Sequence, residues 1–82
     1  MTDNSLRQIV LDALAEIAPE ADLGSLQGDA PLREQLDIDS MDFLNFVIAM
    51  HERTGVDFPE SDYRSLSTVD GCTSYLATHP VT

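Results

Sequence analysis

Basic residues are scarce in this chain of 82 residues. It has four arginines and no lysine against 15 aspartates and glutamates, which gives a formal net charge of −11. No two arginines are adjacent, so no basic patch is present to hold a phosphate backbone, and nucleic acids and anionic membranes are poor candidate partners. A field of this sign favours partners with basic docking surfaces.

Cysteine is nearly absent as well. The single Cys72 cannot form an internal disulfide or a cysteine-rich metal site, which fits a reducing compartment, and His51 and His79 lack the spacing of a zinc site. The N-terminus has no signal segment, and the longest run without a polar side chain, Phe46 to Met50, is far too short to span a membrane. We expect a cytoplasmic protein without a metal.

The length allows one domain, residues 1–82, with flexible ends at about 1–3 and 78–82. A chain of this size buries roughly 60% of its unfolded surface, which leaves no room for a deep, walled active site. The hydrophobic content of 43% is nevertheless sufficient for a folded core. We therefore expect a globular monomer and exclude a large enzyme.

The first helix is predicted from a regular apolar pattern between Leu6 and Ile17. Residues of the segment 2–5 provide a capping side chain, and Pro19 ends the helix. The following segment, Glu20 to Asp39, contains breakers and reads as a long loop. We expect its spaced leucines to anchor it across the helices: Leu23, Leu26, Leu32 and Leu36.

The second helix, Ser40 to Arg53, carries two apolar stripes on different sides, and Gly55 follows it as a left-handed cap. The first stripe consists of Phe43, Phe46, Val47 and Met50, and the second of Met41, Leu44 and Ile48. So small a domain has too few other elements to cover both. We therefore expect the second stripe to be at least partly exposed and to dock a partner.

The remainder predicts a short helical turn and a last helix. Pro59 is expected at the first helical position of the turn, with Tyr63 and Leu66 facing inward. Thr68 caps the last helix, in which Gly71 costs about 1 kcal/mol of helix propensity. The sequence thus predicts an all-α fold, a small four-helix bundle of three longer helices and one short helix, with a long first loop.

One motif goes beyond composition, namely Asp39-Ser40-Met41 at the start of the second helix. Together with the loop leucines before it, Gly55-Val56-Asp57-Phe58-Pro59 and Thr68-Val69, it resembles the acyl carrier proteins over nearly the whole chain. The resemblance implies that Ser40 receives 4′-phosphopantetheine from coenzyme A through a separate magnesium-dependent phosphopantetheinyl transferase. Taken alone, Ser40 would instead be interpreted as an N-cap residue.

The resemblance also implies a docking surface and an acyl-chain cavity. Docking is expected at Asp39, Met41, Asp42, Leu44, Ile48 and Glu52, which would face acyl-loading and acyl-processing enzymes with basic patches. The two aspartates are interpreted as contacts for the basic partner rather than for the phosphate. The cavity is expected between the second and third helices, at Phe43, Val47, Met50, Phe58, Tyr63, Leu66 and Cys72.

Two departures from the family pattern predict a specialised carrier. Docking positions that are usually acidic hold Asn45, His51 and Arg53 here, which predicts a narrower set of partners. Phe58 and Tyr63 are bulky, which predicts an altered or shortened cavity. The sequence does not identify the acyl or aminoacyl group that is carried, because the same arm serves fatty-acid, polyketide and aminoacyl pathways.

The same residues suggest four other interpretations. The Asp-Ser-Met form also resembles D-alanyl-type carriers, and an unmodified acidic interaction module would use the same apolar stripe. A calcium loop fails because Asp42 and Ile48 stand where glycine and glutamate are needed. Intrinsic catalysis is not predicted, because His51 lies about 16 Å from Ser40 along the same helix.

Overall fold

A computed structural model describes residues 3–79 of the chain, with side chains from Ser5 onward. Four α-helices are present: α1 (Asp3–Ile17), α2 (Leu32–Leu36), α3 (Ser40–Thr54) and α4 (Val69–Thr78). Two 3₁₀ segments lie between them, Leu23–Ser25 and Glu60–Leu66, and the latter is called the 3₁₀ helix below. Residues 3–79 contain no strand, which confirms the all-α helical bundle.

The predicted flexibility of the two ends stays a prediction. Residues 1–2 and 80–82 lie outside the described residues, as does one candidate cap of the first helix, Thr2. Asp3 and Thr78, which were included in those ends, begin α1 and end α4. Within residues 3–79, every helix is too short or too polar to cross a membrane.

Helix α1 forms one wall of the core because its apolar residues recur at helical spacing. Leu6, Val10, Ala13 and Leu14 are all buried, and the helix packs against α3 and α4. It ends at Ile17, two residues before Pro19, because a proline disfavours helical backbone in the residue that precedes it. The predicted end of this helix is confirmed.

The long first loop is anchored as expected. Leu32 is fully buried, and Leu23, Leu26 and Leu36 pack against the core. Two backbone hydrogen bonds tie the loop to the last part of the chain: Leu32 N–H donates to the carbonyl of Ser67 at 2.8 Å, and Asp70 N–H donates to the carbonyl of Gly28 at 2.9 Å. The loop is therefore part of the folded unit.

Helix α2 interrupts this loop and was not predicted. Pro31 precedes it with extended backbone, and Leu32 and Leu36 place their side chains on its inner side. Asp37 ends it in the left-handed conformation, at φ 52°. Five residues are too few for a periodic apolar pattern, so the helix depends on the tertiary burial of its leucines.

The second half of the chain follows the predicted signals closely. Gly55 ends α3 at φ 73°, and its N–H donates to the carbonyl of His51. The Thr68 hydroxyl caps α4 by accepting from Gly71 N–H at 2.9 Å. Pro59 lies one position earlier than expected, since it is the extended residue before the 3₁₀ helix rather than its first helical residue.

Candidate functional site

Ser40 is the first residue of α3, and its side chain is exposed. The residue before it, Asp39, has extended backbone and acts as the N-cap: its carboxylate accepts a hydrogen bond from Asp42 N–H at 2.9 Å. The interpretation of Ser40 as an N-cap is therefore wrong. Its hydroxyl is not needed to start the helix and is available for chemistry.

Arg33 of α2 contacts Ser40. Its Nη2 donates a hydrogen bond to Ser40 Oγ at 3.3 Å. Asp37 ends α2 in the left-handed conformation, and the contact brings a side chain of α2 to the start of α3. The sequence interpretation missed this contact, because no local pattern links two side chains seven residues apart across a turn.

An open cavity of about 550 Å³ adjoins Ser40. It lies between the start of α3 and the 3₁₀ helix, and its lining is partly apolar. Two arginines contribute to the lining, Arg33 from α2 and Arg64 from the 3₁₀ helix. The full lining is Arg33, Ser40, Met41, Phe43, Leu44, Glu60, Tyr63 and Arg64.

Acidic side chains lie on the other flank of α3. Asp42, together with Glu16 and Glu52, lines a separate groove of about 440 Å³ between α1 and α3, and Ile48 is also part of its lining. Asp42 also completes the capping box, because its carboxylate accepts from Asp39 N–H at 3.5 Å. The start of α3 thus separates an acidic flank from a flank that carries two arginines.

The second apolar stripe of α3 is exposed, as the sequence predicted. Met41 is 65% exposed, Leu44 37% and Ile48 45%, and these three are the large exposed hydrophobic side chains among the described residues. The first stripe faces inward, since Phe46, Val47 and Met50 are buried and Phe43 packs against the core. One helix therefore contributes to the core and presents apolar surface to solvent.

The residues predicted to line an acyl-chain cavity separate into two groups. Phe43 and Tyr63 line the cavity beside Ser40, and their rings meet edge to face at 6.0 Å. Tyr63 also borders a groove of about 400 Å³ further along α3, with Val47 and Phe58. Met50, Leu66 and Cys72 are fully buried in the core and line neither of these openings.

Cys72 is a buried core thiol. Its Sγ donates a hydrogen bond to the carbonyl of Leu66 at 3.3 Å, and burial raises its pKa from 9.0 to about 12. A thiol that remains protonated is a poor nucleophile and a poor metal ligand. Cys72 therefore contributes packing rather than reactivity.

His51 lies far from Ser40, at the other end of α3. Its Nδ1–H donates to the carbonyl of Val56 at 2.8 Å, and the same nitrogen lies 3.6 Å from Asp57 Oδ1. It therefore stabilises the end of α3. No hydrogen bond among the described side chains links Ser40 to a histidine, as activation of a serine nucleophile would require.

Together the fold and the site define a class. A small helical bundle presents one serine hydroxyl at the start of a helix, free of capping duty and beside exposed apolar surface. Such an arrangement suits a carrier domain that is modified on that side chain and recognised along the same helix.

The comparisons with known proteins identify the family. The family model of the phosphopantetheine attachment site matches residues 5–76. An acyl carrier protein of Tropheryma whipplei is 32% identical over 73 residues, covering 85% of this chain and 89% of that protein. An acyl carrier protein of Renibacterium salmoninarum is 35% identical over 75 residues, covering 83% and 88%.

This chain belongs to the acyl carrier protein family. Its members are carriers rather than catalysts, and its prosthetic group is 4′-phosphopantetheine. The resemblance, the carrier function and the cofactor expected from the sequence are thereby confirmed. The hydroxyl of Ser40, which is exposed and does not cap the helix, and the cavity beside it fit the attachment of this group.

Proposed function

We propose that Ser40 is the attachment point of 4′-phosphopantetheine and that a phosphopantetheinyl transferase loads it. The exposure of Ser40 at the start of α3, directly before the exposed residue Met41, carries this proposal. A transferase that binds this helix would find the hydroxyl and its docking surface side by side. The chain itself contributes no catalysis.

The reaction at Ser40 exchanges the phosphoanhydride bond of coenzyme A for a new phosphate ester bond to the protein. Ser40 Oγ forms a bond to the phosphorus that bears the pantetheine part of coenzyme A, and the pyrophosphate bond breaks. The hydroxyl proton and adenosine 3′,5′-bisphosphate leave. When bound, 4′-phosphopantetheine supplies a terminal thiol, on which acyl groups are carried as thioesters.

Partner enzymes would dock on the stripe of Met41, Leu44 and Ile48. Apolar side chains at the centre of a docking surface supply most of its affinity, whereas charges around them steer the approach. Asp39, Asp42 and Glu52 provide that charge, and the net charge of −11 extends it over the molecule. The expected partners therefore have basic docking patches.

We propose a specialised carrier of the cytoplasm. Asn45, His51 and Arg53 reduce the negative charge of α3, which supports a narrower set of partners than that of a general fatty-acid carrier. Equal turnover of this chain and a general carrier by housekeeping synthase enzymes would contradict specialisation. The cytoplasm is favoured by the unpaired Cys72, which suits a reducing compartment.

The bulk of Phe58 and Tyr63 supports an altered or shortened acyl cavity. Phe58 is fixed by contact with the ring of Tyr75, at 5.3 Å, and Tyr63 by the ring of Phe43. A long acyl chain would therefore remain partly accessible to water. Its thioester should hydrolyse faster than on a general carrier, and equal protection would contradict this part of the proposal.

Intact-mass measurement tests the attachment site. The purified chain is incubated with coenzyme A, magnesium and a broad-specificity transferase, and a single addition of phosphopantetheine is expected. Ser40→Ala should abolish the addition, and Ser61→Ala, at another exposed serine, should preserve it. Addition to the Ser40→Ala variant, or none to the natural chain by several transferases, would refute the assignment.

A further inference from the structure

Two of the four arginines meet at the cavity beside Ser40. Arg33 and Arg64 both line it, from α2 and from the 3₁₀ helix. Within residues 5–79 the ion pairs formed by basic side chains are Arg53 with Glu16 and His51 with Asp57, so neither cavity arginine is paired. Both side chains are exposed, so in a chain with 15 acidic residues these two arginines are available to bind an anion.

We propose that Arg33 and Arg64 form an anion subsite that binds the phosphodiester of the attached arm and holds the first part of the arm in the adjoining cavity. The inference rests on the proposed attachment at Ser40. It adds a role for two residues outside α3 and a resting position for the arm on the surface of its own carrier.

The contact between Arg33 and Ser40 is the main support. Arg33 Nη2 lies 3.3 Å from Ser40 Oγ, the atom that would be bonded directly to phosphorus. The guanidinium is therefore within reach of the phosphate oxygens without a rearrangement of the backbone. Arginine binds phosphate through charge-assisted hydrogen bonds, often two at once.

The surrounding charges are arranged in favour of this flank. Asp39 and Asp42 are close to Ser40, but they form the capping box, and Asp42 faces the groove on the α1 side. Glu60 is the acidic residue in the lining of the cavity itself, against two arginines. A phosphodiester at Ser40 would thus be attracted towards the 3₁₀ helix and repelled from the other flank.

The chemistry of the cavity suits the part of the arm that follows the phosphate. Phe43, Leu44 and Tyr63 supply apolar surface next to the arginines, and the second carbon of the arm after the phosphate oxygen bears two methyl groups. A volume of about 550 Å³ is large enough for this portion of the arm. We expect these methyl groups to lie against the apolar part of the lining, which includes the rings of Phe43 and Tyr63.

Nuclear magnetic resonance of the loaded protein tests the subsite. In the natural chain we expect cross-relaxation between the geminal methyl protons of the arm and the ring protons of Phe43 and Tyr63. In the double variant Arg33→Gln, Arg64→Gln these signals should fall to about half or less, since the charge-assisted hydrogen bonds are lost. The phosphorus line should also narrow as the phosphate becomes more mobile.

Arg53→Gln is the matched control. It removes one positive charge, as Arg33→Gln or Arg64→Gln does alone, but it lies about 20 Å from Ser40 along α3, so the arm signals should be unchanged, whereas each of those single variants should weaken them. Arg33→Lys, with Arg64 retained, should keep part of the cross-relaxation between the arm and the rings because the positive charge remains. Equal arm signals in the natural chain and in the double glutamine variant would overturn the proposal.

A second measurement is independent of loading. Free 4′-phosphopantetheine is titrated into Ser40→Ala, which lacks the attachment atom, while the side-chain Nε–H signals of Arg33 and Arg64 are followed. Both signals should shift on addition of 4′-phosphopantetheine, and pantetheine without the phosphate should shift neither. Binding of 4′-phosphopantetheine to the double glutamine variant should be about tenfold weaker. If loading fails but these shifts occur, the attachment site is wrong and the subsite stands; unmoved signals would refute the subsite.

Discussion

Asp39 and Asp42 satisfy each other's backbone N–H groups at the start of α3. The carboxylate of Asp39 accepts from Asp42 N–H at 2.9 Å, and that of Asp42 accepts from Asp39 N–H at 3.5 Å. Both aspartates were interpreted from the sequence as contacts for a basic partner. The structure adds a second role, because they build the start of the helix that carries Ser40.

Two substitutions of Asp39 separate the capping role from the charge. Asp39→Ala removes the cap and should lower the free energy of unfolding by about 1 kcal/mol, whereas Asp39→Asn preserves the cap and should lower it by much less. Urea unfolding checks both values. If Asp39 also contacts a basic partner, Asp39→Asn should slow loading of Ser40 at low salt, and an unchanged rate would assign it a structural role alone.

Gly71 of α4 is expected to resist replacement despite its position inside a helix. A Cβ atom there would collide with the backbone carbonyl oxygen of Ser65, so Gly71→Ala should destabilise the fold by roughly 1–3 kcal/mol. At Gly24 an added Cβ would meet only Asp22 Oδ1, at 3.5 Å. Gly24→Ala is therefore the control and should unfold near the natural midpoint; equal effects of the two would refute the steric explanation.

Gly55 and Gly71 show which features of the fold could be predicted from the sequence and which could not. Local signals, such as the cap at Thr68 and the left-handed Gly55, placed the ends of helices correctly. The close approach of Ser65 to Gly71 joins two segments across a turn, so the sequence indicated only the propensity cost of Gly71. Packing distances become visible only when both segments are in place.

The candidate site divides in the same way. Ser40 and the exposed stripe were predicted because a motif and a helical period lie within α3 itself. Arg33 was missed because it approaches through α2 and the left-handed Asp37, neither of which has a sequence signal of its own. Charge at this site therefore differs from the uniformly acidic surface that the composition suggests.

Buried ionisable groups predict a loss of stability at high pH. The pKa of Cys72 is raised from 9.0 to about 12 by burial, so in alkali the unfolded chain loses its thiol proton before the folded chain does. Stability is fully present below pH 9 and falls as the pH rises towards 12. Burial, followed by the hydrogen bond to Asp62, raises the pKa of Tyr75 and adds to the same trend.

Cys72→Ala isolates the contribution of the thiol. At pH 10, one unit above the ordinary thiol pKa, the natural chain should have lost about 1.4 kcal/mol more than the variant relative to pH 8. Denaturant unfolding at the two pH values measures the difference. The cavity left by alanine lowers stability at both pH values, so only the change with pH is compared; parallel losses would contradict the assignment.

The same burial predicts selective thiol chemistry. At pH 8 the native unloaded chain should react slowly with Ellman's reagent, because Cys72 is inaccessible and protonated. Loading should add one rapidly reacting thiol, and urea should reveal the second. Rapid reaction of the unloaded native chain would show that Cys72 opens to solvent.

The exposed stripe of α3 predicts separable effects on docking and stability. Leu44→Ser removes an exposed apolar side chain, so transferase turnover at low substrate should fall about tenfold, while the midpoint of unfolding changes little. Ala77→Ser, at an exposed position of α4 outside the docking surface, is the control and should retain turnover within about twofold. Equal losses for the two variants would contradict a defined apolar docking stripe.

Because α3 begins at Ser40 and continues through the stripe, it also acts as a ruler. Met41, Leu44 and Ile48 stand about 1.5, 6 and 12 Å from the serine along the helix axis. An enzyme that binds these three side chains therefore has its active-site opening at a fixed distance from Ser40, whichever acyl group the arm carries. Recognition of the carrier is thus separate from recognition of the cargo. One helix face can serve successive enzymes of unrelated structure, provided that each has the same distance between its docking surface and its active-site opening.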